Sequence, residues 1–433
     1  MGLARASYST LLYALSPLIV QRIWREQLSG YRRAQRLGFA LGTFPAGPRI
    51  WLHCASVGEV RAARGLIEGL LARYPEHILC VTTMTATGAR QVHALADELG
   101  NPRLVHRFVA LDFPGAARRF VAALAPALGM LFETELWPNL IDACARQGVP
   151  TALVNGRISP RAFKRYRAFT GVMSETLDKL DWIAAKSPAD AERLEALGAP
   201  PARMAVVGSL KFDMTLSSTT REQGERLRAT LAARPVWVAG STREGEEEQV
   251  LAAHRTLCQR FPDALLVLAP RHPQRFDAVA ALIERQGFRL ARRSRGEAIT
   301  AETQVYLGDT LGELGVLYAA GSVAFVGGSL VPLGGHNVVE PALLGLPVLC
   351  GPSLENFDDV AAPLLDSGAL MRVMDASALA NAVASLWEVP SLALEQGAAG
   401  RDVVMAQRGA LRRTLAGLDA LLPADEAHLD RTF

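Results

Sequence analysis

Phe325-Val326-Gly327-Gly328-Ser329-Leu330-Val331-Pro332-Leu333-Gly334-Gly335-His336-Asn337-Val338-Val339-Glu340-Pro341 is the stretch on which the reading of this chain turns. The apolar segment Val323 to Val326 before it predicts a buried strand. Two glycine pairs follow, and Asn337 is placed to cap the apolar run Val338 to Leu346, which predicts a helix. A strand thus feeds a glycine-rich loop that opens a helix, whose first N–H groups and dipole favour an anion. Glu340, in the first helical turn, would repel a phosphate at close range but suits the hydroxyls of a ribose. Phosphate on the amides and ribose on the glutamate describe a nucleotide site. The plainer account makes the glycines tight turns and Glu340 a partner of the helix dipole. The attached His-Asn-x-x-Glu-Pro run weighs against it.

At 433 residues the chain exceeds one ordinary core and predicts two domains. Half of it is hydrophobic and 21% charged, a composition that folds throughout. A formal net charge of +3 is too small to imply a nucleic-acid partner. Of 46 basic residues only Lys164, Lys179, Lys186 and Lys211 are lysines, so each is worth placing. Cys54, Cys80, Cys144, Cys258 and Cys350 show no metal-binding spacing and read as buried thiols of a reducing compartment.

Tyr8 to Val20 is largely apolar, interrupted by Ser9, Thr10, Ser16 and Pro17, and extended past Arg22 by Ile23 and Trp24. It falls short of the ~20 residues of a comfortable spanning helix. Arg22, Arg25, Arg32, Arg33 and Arg36 follow it against a lone Arg5 before it, which would leave the bulk of the chain in the cytoplasm. Residues 1–30 are accordingly expected to form a membrane anchor or an interfacial helix. A buried core helix and a cleaved signal peptide are the competing readings.

From Arg49 onward short apolar strands alternate with helical stretches. The expected strands are Ile50 to Cys54, Ile78 to Thr82, Leu104 to Val109, Leu128 to Phe132, Thr151 to Val154, Trp182 to Ala185 and Met204 to Val207. After the crossing segment Gly208 to Asp213 come Val236 to Ala239, Leu265 to Ala269, Gln304 to Leu307, Val323 to Val326 and Val348 to Cys350. A helical region from about Leu392 to Leu422 closes the chain. Such alternation predicts parallel sheets covered by helices on both faces, with domains at 31–207 and 208–433.

Ligands of open α/β sheets lie beyond the C-terminal ends of the strands, and the unusual polar clusters fall there. Glu59 sits one residue past a glycine at a helix start, either as a solvated first-turn carboxylate or as a general base. Glu133, Glu135 and Trp137 follow a strand, in a grouping that suits a sugar or an internal salt bridge. Arg271 and His272 suit a phosphate or a helix cap. Lys211 could place a point charge at the cleft or bridge to Asp213. The absence of a DxD-type carboxylate pair points to metal-free chemistry.

The strings Ser56-Val57-Gly58-Glu59, Thr82-Thr83-Met84-Thr85-x-Thr87-Gly88, Glu133-Thr134-Glu135-Leu136-Trp137-Pro138-Asn139-Leu140, Gly208-Ser209-Leu210-Lys211-Phe212-Asp213, Pro270-Arg271-His272-Pro273 and the opening glycine-rich stretch together closely resemble the Kdo transferases. These are the 3-deoxy-D-manno-octulosonic acid transferases of Gram-negative bacteria, glycosyltransferase family 30. The resemblance runs from the N-terminal segment almost to the C-terminus. It implies a GT-B fold, two Rossmann-like domains facing across a cleft, with an N-terminal membrane-associated helix. It implies inverting transfer of Kdo from CMP-Kdo onto the lipid A precursor (lipid IVA), without metal or cofactor, at the cytoplasmic face of the inner membrane. By the same resemblance Glu59 is the catalytic base, and Glu133 and Lys211 stabilise the transition state. CMP is held by Arg271, His272, Gly312, Glu313, Leu314, Asn337, Val338, Val339 and Glu340. Ser56, Gly58, Ser241, Gly335 and His336 are candidates for further substrate contacts. Another GT-B nucleotide-sugar enzyme, a UDP-sugar transferase or epimerase, would share the fold and the glycine-rich loop. A membrane-bound sensor of a nucleotide sugar would bind without turnover.

Overall fold

The alternating apolar segments form two parallel sheets in a computed structural model that describes residues 2–25, 30–214, 216–231 and 233–422, with the side chains of 3, 20 and 22–32 left out of the description. The first sheet comprises β1 (Arg49–His53), β2 (Ile78–Thr83), β3 (Leu104–Phe108), β4 (Leu128–Phe132), β5 (Thr151–Gly156), β6 (Trp182–Ala185) and β7 (Met204–Val206). Its order is β3-β2-β1-β4-β5-β6-β7. The second comprises β8 (Val236–Thr242), β9 (Leu265–Pro270), β10 (Leu290–Arg292), β11 (Val305–Leu307), β12 (Val323–Val326), β13 (Val348–Cys350) and β14 (Leu370–Arg372), in the order β10-β11-β9-β8-β12-β13-β14. Every residue of β2, β4, β5, β8 and β9 is buried, as strands covered on both faces require. The edge strands β10 and β14 escape the sequence pattern, because three residues ending in an arginine carry no apolar run.

Strand order reverses between β1 and β4 in the first sheet and between β8 and β12 in the second. These are the switch points at which α/β sheets bind ligands. Glu59, Glu133 and the glycine-rich stretch follow β1, β4 and β12, and Ser241 lies at the end of β8.

The chain divides into two compact units, 1–213 with 408–433 and 214–407. The expected boundary at 207/208 thus moves to 213/214, since Leu210 and Phe212 are buried in the first unit. The C-terminal helical region, expected to close the second domain, is two helices that part company at Gly409. Pro390–Gln407 stays with the second unit, whereas Ala410–Asp419 returns to the first. There Ala410, Leu415 and Leu418 complete the core around Leu66, Ile67 and Leu70. Two aspartates make the join. Asp213 accepts from the amides of Gly409 and Leu411, and Asp419 pairs with Arg73 and accepts from the Tyr74 hydroxyl at 3.0 Å. Only glycine fits at 417, because a Cβ there would lie 2.1 Å from the Trp182 ring.

The N-terminal apolar run is broken at Leu15 into the helices Leu3–Ala14 and Ser16–Arg25. One face is docked by polar bonds: Arg5 pairs with Asp142 at 2.7 Å and Glu175 at 3.1 Å, and Ser9 and Tyr8 donate to Asn139 and Asp112. Leu11, Tyr13, Leu15 and Leu18 remain exposed. Among the described residues no helix is long and apolar enough to cross a membrane. The side chains of Arg22, Ile23, Trp24, Arg25 and Arg32, on which the expectation of an anchor drew, lie outside the described residues.

Candidate active site

In the first unit β1 ends at His53, and the chain turns through Ala55 and Ser56 into the helix Val57–Ala62. Ser56 caps that helix, accepting from the Glu59 amide at 3.3 Å. The Glu59 carboxyl reaches back to accept from the Ala55 amide at 2.8 Å and the Ser56 hydroxyl at 3.0 Å. The serine and glutamate thus form a reciprocal cap. Burial, then the negative charge of Glu135, push the Glu59 pKa up to about 8, against the bonds from Ala55 and Ser56. Gly58 is exposed on the same turn.

Glu133 follows β4 with φ of 57°, and Asn155 near the end of β5 has φ of 52°. Left-handed backbone is unusual for residues other than glycine and concentrates at functional sites. The two are adjacent: Asn155 Nδ2 lies 3.5 Å from Glu133, and Asn155 Oδ1 accepts from the amide of Leu210 at 3.4 Å, next to Lys211. Asn155 therefore ties the loop of Glu133 to the turn that carries Lys211. Asp213, expected as an alternative partner of Lys211, accepts from the amides of Gly409 and Leu411.

Behind these carboxyls, His53 Nε2 lies 3.5 Å from Glu135, and Trp137 donates to the same carboxylate at 2.6 Å. Burial raises the Glu135 pKa, but His53 and Trp137 outweigh it and hold the group below the usual range. The wholly buried His53 was not singled out from sequence, where a histidine inside a strand carries no signal. A groove of about 380 Å³ opens beside Trp137, lined by Tyr8, Leu12, Ile19, Leu111 and Leu136 among others.

In the second unit Ser241 sits in β8 with φ of 57°, at a shift in register between Gly240 and Thr242. Arg271 follows β9, and its amide donates to the Thr242 carbonyl at 3.0 Å. His272 comes next and opens the single turn Pro273–Arg275. Glu340 lies in the short helix Val339–Leu343, rather than the longer one expected, with Asn337 accepting from the Val339 amide at 3.0 Å. Burial pushes Glu340 up to about 7, opposed by the charge of Arg271. A Cβ on Gly315 would come within 3.0 Å of Glu340, so the Gly312-Glu313-Leu314 segment runs into its immediate surroundings. The Glu313 carboxylate itself is held by Arg293 through bonds of 2.8 and 2.6 Å. Val338 and Val339 are both buried.

The turn at the first glycine pair is engaged within the protein. The amides of Gly328, Ser329 and Leu330 donate to the carboxylate of Glu246, so these groups hold a side chain of the protein rather than standing open to a phosphate. Gly335 and His336 adjoin this turn: the Gly335 amide donates to the Gly328 carbonyl at 2.8 Å, and a Cβ on Gly328 would lie 2.8 Å from the His336 ring.

Two parallel-sheet units, each with polar residues gathered beyond the C-terminal ends of its strands, are the architecture of the GT-B class of nucleotide-sugar enzymes. The fold is shared with UDP-GlcNAc 2-epimerase from Neisseria meningitidis, at a TM-score of 0.57 and 13% identity over 86% of this chain and 99% of that one. Residues 31–214 match the family model of 3-deoxy-D-manno-octulosonic-acid transferase. The chain is 36% identical to the 3-deoxy-D-manno-octulosonic acid transferase of Haemophilus influenzae, over 95% of this chain and 97% of that protein. It is 38% identical to that of Bordetella pertussis, over 96% and 99%. The chain belongs to the 3-deoxy-D-manno-octulosonic acid transferase family and is a glycosyltransferase.

Proposed function

We propose that the protein moves Kdo from CMP-Kdo onto a hydroxyl of the lipid A precursor, with inversion at the anomeric carbon. The observation that carries the chemistry is Glu59, a carboxyl held by its own helix cap with a pKa raised to about 8. A base of that strength is matched to removing a proton near neutral pH. Glu59 takes the proton as the acceptor oxygen bonds to the anomeric carbon, and the bond from that carbon to the phosphate oxygen breaks, releasing CMP. Glu133 and Lys211 stabilise the charge that develops, and Arg271 and His272 the leaving phosphate. Asn337 to Glu340 and Gly312 to Leu314 hold the nucleotide, with Glu340 on the ribose.

The apolar groove beside Trp137 suits an acceptor that carries acyl chains. In this reading the protein works at the cytoplasmic face of the inner membrane, and the exposed Leu11, Tyr13, Leu15 and Leu18 support contact with a lipid surface. The test is incubation with CMP-Kdo and a tetraacylated lipid A precursor, read by mass spectrometry beside Glu59→Ala. A mass gain of one or more Kdo units, lost in the variant, is expected. No Kdo-bearing product from folded protein would overturn the reading.

A further inference from the structure

Glu246 is fully buried, yet it carries a carboxylate into the rim of the second sheet. One oxygen accepts from the amides of Arg243 at 2.9 Å and Gly328 at 2.6 Å, and the other from Ser329 at 2.9 Å and Leu330 at 2.8 Å. Successive backbone amides turned to one point make an anion-binding concavity, and here the anion is part of the chain. The turn it fills is joined to the rest of the loop. Gly328 receives the Gly335 amide through its carbonyl, and its Cα faces the His336 ring. Ser329 Oγ accepts from Gly351 at 2.7 Å, and the Ser329 carbonyl accepts from Ser353, whose hydroxyl accepts from Gly334 at 2.8 Å.

We propose that Glu246 is a positioning residue for the donor site: its carboxylate organises the Gly328–Leu330 turn and, through Gly328, sets Gly335 to Asn337 where the nucleotide is read. The inference rests on the reading of the second unit as the nucleotide-binding one. Without the carboxylate, four backbone amides lose their acceptor and the turn has no reason to keep its shape. A small carboxylate from solution would fit the vacated concavity and restore it.

The test is CMP binding by the full chain, measured by calorimetry for the wild type, Glu246→Ala and Glu246→Gln, in chloride and in formate. Glu246→Ala is expected to bind CMP roughly tenfold more weakly or worse, and formate to recover most of that loss while leaving the wild type unchanged. Glu246→Gln fills the space but turns an NH2 group towards amide donors, so it is expected to be weakened and insensitive to formate. Unchanged CMP binding by Glu246→Ala, or a loss that formate does not move, overturns the proposal. Should Glu246→Ala fold only in formate, the concavity is confirmed as the site of rescue, whereas failure in both salts overturns it. A wild type that does not bind CMP overturns the donor assignment and this inference with it; an unresponsive variant of a CMP-binding wild type overturns this inference alone.

Discussion

Glu59 is mostly protonated in the free protein at neutral pH, because burial and Glu135 raise its pKa to about 8. With Glu59 as the proposed base, only its ionised form can act, so kcat/KM should rise with pH and level off above about 8. Glu135→Gln removes a neighbouring negative charge, so Glu59 should become more acidic and the rise should move to lower pH. An identical pH–rate profile in the variant would dissociate the two carboxyls. The serine, glycine and glutamate of this cap were legible in sequence as a string after a strand. The left-handed backbone at Glu133, Asn155 and Ser241 was not, since none is a glycine. Glu246 was also hidden: in Glu244-Gly245-Glu246-Glu247 it reads as one of several acids opening a helix.

At the scale of elements, the Arg293–Glu313 pair holds the start of the helix Leu314–Ala319. If Gly312 to Leu314 hold the nucleotide as proposed, Arg293→Ala should raise KM for CMP-Kdo by roughly fivefold to tenfold with kcat little changed, because it loosens that segment and touches no reacting atom. Steady-state kinetics at saturating acceptor would measure it. The helix Leu3–Ala14 is docked through Arg5, Tyr8, Ser9 and Leu12, while Leu11, Tyr13, Leu15 and Leu18 stay exposed. Leu18→Asp should weaken flotation with anionic vesicles without altering the melting temperature, since Leu18 is exposed. The apolar run and its interruption by Ser16 and Pro17 were readable from sequence, whereas the burial of Arg5 depends on Asp142 and Glu175, far away in the chain.

For the whole molecule, the division at 213/214 and 407/408 makes the second unit continuous and the first discontinuous. Asp213→Ala should cost the first unit about 1–2 kcal/mol, because two amides at the start of the helix Ala410–Asp419 lose their acceptor. Chemical denaturation should show that loss, and CMP should protect the second unit but not repair the first. Parallel sheets and their strand positions were legible from alternation alone. The destination of the last helix was not, because amphipathicity identifies a face to be covered and not the domain that covers it. Its return also orders events during synthesis. The ribosome must complete the entire second unit before the residues that finish the first core emerge, a wait on the order of ten seconds or more at ordinary elongation rates. The domain that is translated first is therefore the one that is closed last, and the apolar side chains around Leu66, Ile67 and Leu70 stay uncovered on that side until Ala410 to Leu418 emerge.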